Sequence, residues 1–361
     1  MRRLRRPEAE PLNSSGDHPV SRRLTAMCCA KGALTAVTTN TDVRQALACR
    51  NLATNLKFVG FVLDCPLPFR CLRVFRGKLY NGRRHEGSTE DLMSRSGMRI
   101  DHQVPITSLQ MFSSPYLDIP IDENDPRGRE PLIPLDSVGV AYESYYAKTD
   151  GNNPPFGVAI EGSQKDIWLR KSVAEKLARV NELLRPFEVE LFVLDGHRSV
   201  ACQQGLWNFF YSRAKQQNPT GSDEAHRANA RQFIVDPVAF DEADSRTWPA
   251  HTNGAAIDLT LRDVVTKELL EMGARFEEDI AANVGDYFER ELAAGRIDES
   301  DVRLQNRRLL HWAMTREGLL NETAKVFWHY DWGNQIYVRA SRAFLNDPPK
   351  AAWYGYIEPP R

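Results

Sequence analysis

His251-Thr-Asn-Gly254-Ala-Ala-Ile-Asp258-Leu-Thr260 is the stretch whose reading decides how this chain folds and what lies at its centre. A histidine and an aspartate seven positions apart suit a turn that runs into a strand. Gly254 allows the bend, and the alternating residues 255–261 then present the carboxylate beside the imidazole. Neutral imidazole and carboxylate are both good zinc donors, but a catalytic site needs a third protein ligand and an open position. His329, inside the aromatic run Phe327-Trp-His-Tyr330, is the candidate third ligand. Its aromatic neighbours would wall the site and lower the effective dielectric, strengthening each charge interaction there. Taken singly, a His or Asp near a strand is more often a satisfied structural group than a ligand.

The surrounding pattern is that of an α+β domain. Residues 168–187 read as strand entry followed by a helix, with Val173, Leu177, Val180, Leu183 and Leu184 at helical spacing and Pro186 as the stop. Residues 189–194 read as a short strand ending at Asp195-Gly196, and 199–217 as a helix. Further helices are expected over 268–272, 284–294 and 301–316, and an aromatic-rich strand over 326–338. The sum is a small antiparallel sheet flanked by helices.

The first hundred residues have a different character. They carry 18 Lys+Arg against 8 Asp+Glu, whereas the remainder carries 29 against 40, so the net charge of −1 hides an asymmetry. Five of the six cysteines lie early, including the pair Cys28-Cys29, and only Cys202 lies later. Apolar patches such as 58–63 suggest an isolated strand, and 76–96 reads as linker. We therefore divide the chain into a basic extension, 1–99, poorly structured or preceding a natural start at Met93 or Met98, and a domain over 100–361. No stretch reaches the roughly 18 apolar residues of a membrane helix. The basic start Met1-Arg-Arg-Leu-Arg-Arg lacks the apolar core of a signal peptide. The expectation is a cytoplasmic protein with reduced thiols, no nucleic-acid or membrane partner, and an oligomeric state the sequence leaves open.

His-x6-Asp followed by Leu-Thr, with a distal aromatic-Trp-His-Tyr, resembles the signature of D-alanyl-D-alanine dipeptidases of the vancomycin-resistance type. That zinc peptidase family includes D,D-carboxypeptidases and shares its fold with the hedgehog signalling domain. The likeness extends from about residue 100 to 340. Residues 169–178 are similar to the helix before the family's catalytic arginine, and Asp195-Gly-His-Arg198 to its Asp-x-Tyr-Arg. Met272-Gly-Ala-Arg-Phe-Glu277 is similar to the loop whose acid holds the substrate ammonium, and 306–310 to the helix before the last zinc ligand. The resemblance implies a D-Ala-D-Ala-type dipeptide substrate, with Zn2+ on His251, Asp258 and His329. It makes Arg198 the support for the developing oxyanion and Glu277 the partner of the substrate's N-terminal ammonium.

The likeness fails at one chemically important position. The family motif reads Glu-Trp-Trp-His, its glutamate serving as general base, and the matching residue here is Val326. Asp331, two after His329 and so on the same side of a strand, is the candidate substitute; it is equally suited to orienting an imidazole. Glu322 comes four residues too early. Pro249 replaces a serine near the substrate, and His197 a tyrosine. Two alternatives stand beside hydrolysis: Fe2+ oxidative chemistry on the same 2-His-1-carboxylate set, and a catalytically inactive homologue that binds a metal or ligand.

Overall fold

The computed structural model describes residues 99–359 and, nearer the N-terminus, four short strands. The chain divides into two units, 1–86 and 87–361. In the first, β1 (Ala26–Ala30) pairs antiparallel with β2 (Ala33–Val37), and β3 (Leu72–Phe75) with β4 (Lys78–Asn81). The expected strand at 58–63 lies outside the described residues, as do Met93 and Met98. Within the expected linker 76–96, residues 78–81 are strand, paired in the β3–β4 hairpin.

The second unit is built on β5 (Leu132–Pro134), β6 (Ala141–Tyr142), β7 (Trp168–Arg170), α1 (Lys171–Leu184), β8 (Val189–Asp195), α2 (Val200–Gln217), α3 (Asp223–Ala230), β9 (Ala256–Asp263), α4 (Tyr287–Ala293), α5 (Val302–Arg316), β10 (His329–Asp331) and α6 (Gln335–Phe344). Helix α1 buries Val173, Leu177, Val180 and Leu184 of the apolar stripe its spacing predicts, with Ala174 beside them, while Leu183 is only half-buried. It ends before Pro186, and Glu188 in the left-handed region turns the chain into β8.

Four strands form the central sheet, in the order β10-β9-β8-β6. The β8–β9 and β9–β10 pairs are antiparallel, but β6 runs parallel to β8, so the sheet is mixed rather than antiparallel throughout. Residues 256–261 of β9 are buried at every position, as in a strand covered on both faces. Each fully buried Leu or Ile contributes roughly 1.5–3 kcal/mol, which fixes β9 as the axis of the domain.

Two expectations change, and one helix is additional to them. Residues 268–272 are not helical: Asp263 Oδ1 accepts the amides of Val265 and Thr266, making a turn after which Leu270 bonds back to the Leu261 carbonyl. The strand expected over 326–338 shrinks to three residues. Gly333, at φ 72°, breaks it, and the Asn334 side chain caps α6 through the Tyr337 amide at 2.9 Å. Helix α3, started by Ser222 accepting from the Ala225 amide, has no counterpart in the sequence reading.

Candidate metal centre

His251 sits in a single turn, Ala250–Asn253, that leads into β9. Gly254 ends that turn at φ 70°, and a side chain there would run into Leu132. Arg170 fixes the turn from below the sheet's end. Its guanidinium donates to the carbonyls of Asn253 (2.8 Å), Gly128 (3.1 Å), Glu130 (2.6 Å) and Gly355 (2.9 Å). The imidazole is thereby held where its Nδ1 donates to the Gly196 carbonyl at 2.9 Å. That bond sets the tautomer and leaves the Nε2 lone pair facing Asp258 Oδ2, 3.4 Å away. Burial, with repulsion from Arg198, brings the His251 pKa down to about 3, so it is a neutral donor.

Asp258 and His329 are direct partners across the β9–β10 ladder. His329 Nδ1 lies 2.8 Å from Asp258 Oδ1. One donor atom from each of His251, Asp258 and His329 falls within 4.8 Å of the others. Two imidazole nitrogens and a carboxylate converging in a buried cavity are the donor set of a borderline divalent ion such as zinc, and they fit one. Asp331 stands at the other nitrogen of His329, its Oδ2 3.1 Å from Nε2 in a bent geometry, while its Oδ1 accepts from Asn334 at 2.6 Å. Burial opposes a charge on His329, but Asp331 and Asp258 together outweigh it and hold its pKa well above the usual value.

This arrangement corrects one expectation. Strand periodicity puts Asp331 on the side of His329, but the ring comes between. Asp331 is 1% exposed and does not line the cavity, so its carboxylate meets the far nitrogen of His329 and not the space a substrate would enter. Glu322 is likewise engaged elsewhere, in a buried pair with Arg339 at 2.5 and 2.9 Å. Val326 does line the cavity, beside Trp328 and His329.

The cavity, about 360 Å³, brings Arg198 and Glu277 to the three candidate ligands. Arg198 donates through Nε and Nη2 to Asp195 Oδ2 (3.0 and 2.6 Å) and through Nη1 to Gln203 Oε1 (3.2 Å). Its Nη2 is 3.3 Å from the Tyr146 hydroxyl and 3.9 Å from Asp258 Oδ2. Glu277 adopts φ 62° and accepts the Tyr146 hydroxyl at 2.6 Å. Burial, aided by the Asp258 charge, raises its carboxyl to about 7. Glu277 belongs to a loop held by Arg307 of α5, whose guanidinium lies over the Phe327 ring. Arg307 donates to the carbonyls of Met272 (2.9 Å), Val284 (3.1 Å) and Ala282 (2.6 Å).

Sequence reasoning gave no role to Tyr146, Asp195, Gln203 or Arg307, although Asp195 and Arg307 fall inside the segments that carry the family resemblance. Asp195 was findable as an acid three residues before an arginine; Gln203 and Arg307 had no local signal. Among the described residues no helix is long and apolar enough to cross a membrane.

The profile of the peptidase M15 family, described as D-ala-D-ala dipeptidase, matches residues 132–347. A D-alanyl-D-alanine dipeptidase of Synechocystis sp. is 27% identical over 258 residues, spanning 68% of this chain and 97% of that protein. Among solved structures, the vancomycin-resistance D,D-pentapeptidase VanY in complex with Zn(II) aligns at 14% identity over 49% of this chain and 80% of its own, with a TM-score of 0.26. VanYB in complex with D-alanine-D-alanine aligns at 15% over 50% and 79%, also at 0.26.

Proposed function

Because the chain belongs to the D-Ala-D-Ala dipeptidase family of M15 peptidases, we propose that it hydrolyses D-Ala-D-Ala or a related dipeptide, with zinc held by His251, Asp258 and His329. The observation that carries this reading is the meeting of the three donor atoms with a fixed guanidinium, Arg198, 3.9 Å from one of them. Bound zinc polarises a carbonyl and lowers the pKa of its water to about 7.

The protein's own residues supply the rest. Arg198, held rigid by Asp195 and Gln203, favours negative charge on the scissile carbonyl oxygen; a donor of this kind is worth about 10²–10³ in rate. Glu277 takes the substrate's ammonium, and the incoming cation favours its ionised form. The Tyr146 hydroxyl joins Glu277 to Arg198 and keeps the two at a fixed separation. Val326 accepts no proton, and Asp331 lies behind His329, so neither would take the proton from a water that zinc would hold, and slow turnover is the expected outcome.

The test is release of D-alanine from D-Ala-D-Ala by the full chain, metal-stripped and then loaded with zinc or with iron. Hydrolysis restored by zinc supports the reading. Oxygen consumption by an iron-loaded, coloured protein without hydrolysis would replace it with oxidative chemistry on the same ligands.

A further inference from the structure

The cavity has a second half that bond cleavage does not use. Gln203 marks the border: its Oε1 accepts from Arg198 and its Nε2 donates to the Val235 carbonyl at 3.0 Å. Beyond it, Leu206 and Phe210 follow on the same face of α2, at the spacing of successive helical turns. Residues 233–235 continue this wall. Phe233 lies parallel to Phe210, with ring centroids 4.9 Å apart and 4° between planes, yet remains 38% exposed. Ile234, Val235 and Val326 add further apolar surface to the same cavity.

D-Ala-D-Ala carries two methyl groups. Seated at the ligands and Arg198, it leaves the accessible part of this wall, the exposed Phe233 with half-buried Ile234 and Val235, in water. An apolar surface of that extent, continuous with the metal centre and backed by stacked aromatics, matches a larger side chain, and each extra buried methylene strengthens binding roughly fourfold.

We infer that this arm selects a dipeptide bearing one bulky apolar side chain, of leucine or phenylalanine size, over D-Ala-D-Ala. The inference rests on the dipeptidase reading and specifies its substrate. Binding of D-Ala-D-Ala, D-Ala-D-Leu and D-Leu-D-Ala to the zinc-loaded full chain is measured by calorimetry, which needs no turnover, and kcat/KM is measured in parallel.

One leucine isomer should bind roughly tenfold to fiftyfold more tightly than D-Ala-D-Ala, the isomer revealing which substrate position faces the arm. Phe233→Ser, with Ile234→Ser as a second variant and thermal unfolding to confirm folding, should bring that ratio down toward one. If D-Ala-D-Ala binds as well as both leucine isomers, the inference is overturned and the dipeptidase reading stands. If none of the three binds, both fall.

Discussion

Val326→Glu asks whether the cavity lacks only a proton acceptor. The backbone at 326 is held independently of its side chain: its carbonyl accepts from Asn321 Nδ2 at 2.9 Å, and it bridges to Val284. A glutamate there therefore enters the cavity beside His329 without moving the strand. A positioned general base is worth typically about 10²–10⁴ in rate. Asp258, Glu277, Glu278 and Asp279 line the same cavity, so like charges oppose ionisation of the newcomer. Burying a polar group in place of valine also costs about 1–3 kcal/mol of stability. Both effects favour the lower end, a gain in kcat of about a hundredfold. The assay is D-alanine release by zinc-loaded wild type, Val326→Glu and Val326→Gln, the amide copying the shape without the basicity. A folded, zinc-loaded Val326→Glu protein no faster than Val326→Gln would refute the argument that a missing base limits this site.

Three further outcomes follow from the geometry. Arg198→Lys cannot reach Asp195, Gln203 and Tyr146 together, so kcat should fall about 10²–10³ and the thermal midpoint should drop as Asp195 loses its buried partner. Asp331→Asn should weaken zinc about 10–100-fold in chelator competition. In the wild type, zinc must displace a proton from His329, whose pKa is raised, so affinity climbs as pH rises toward that raised pKa; Asp331→Asn should move the climb to lower pH. In the metal-free protein the Glu277 carboxyl is raised from 4.5 to about 7, so the folded state holds this proton more tightly than the unfolded chain. That contribution to stability is present at low pH and is lost as pH rises from about 4.5 to 7. Glu277→Gln should therefore unfold at a higher temperature than wild type at pH 8, with the difference vanishing near pH 4.

The parts of the domain that could be read in its sequence are those governed by local pattern. Helix α1 has a strong apolar stripe, most of which faces the core, and strands β8 and β9 are short apolar runs bounded by turn residues, with β9 buried along six successive residues. His251, Asp258 and His329 were read from two short motifs, and the β9–β10 register then supplies the reason they meet. What stayed illegible depends on single residues that override pattern. The aromatic run after Val326 looks like continuous strand until Gly333 and Asn334 convert its second half into α6. Residues 268–272 are good helix formers, but Asp263 captures two amides upstream and folds them into a hairpin return. The side taken by Asp331 depends on which imidazole nitrogen faces the metal, and no one-dimensional spacing encodes that.

The grip of Arg307 on the Glu277 loop bears on how such a site can diversify. Its three partners are main-chain carbonyls, contributed by Met272, Ala282 and Val284, and a carbonyl is the one acceptor that every amino acid provides. The anchor is therefore blind to side-chain identity along the loop. Residues between the anchored ends can be exchanged without loosening the frame that holds them. The recognition chemistry can drift between lineages while α5 and the metal-bearing strands stay as they are.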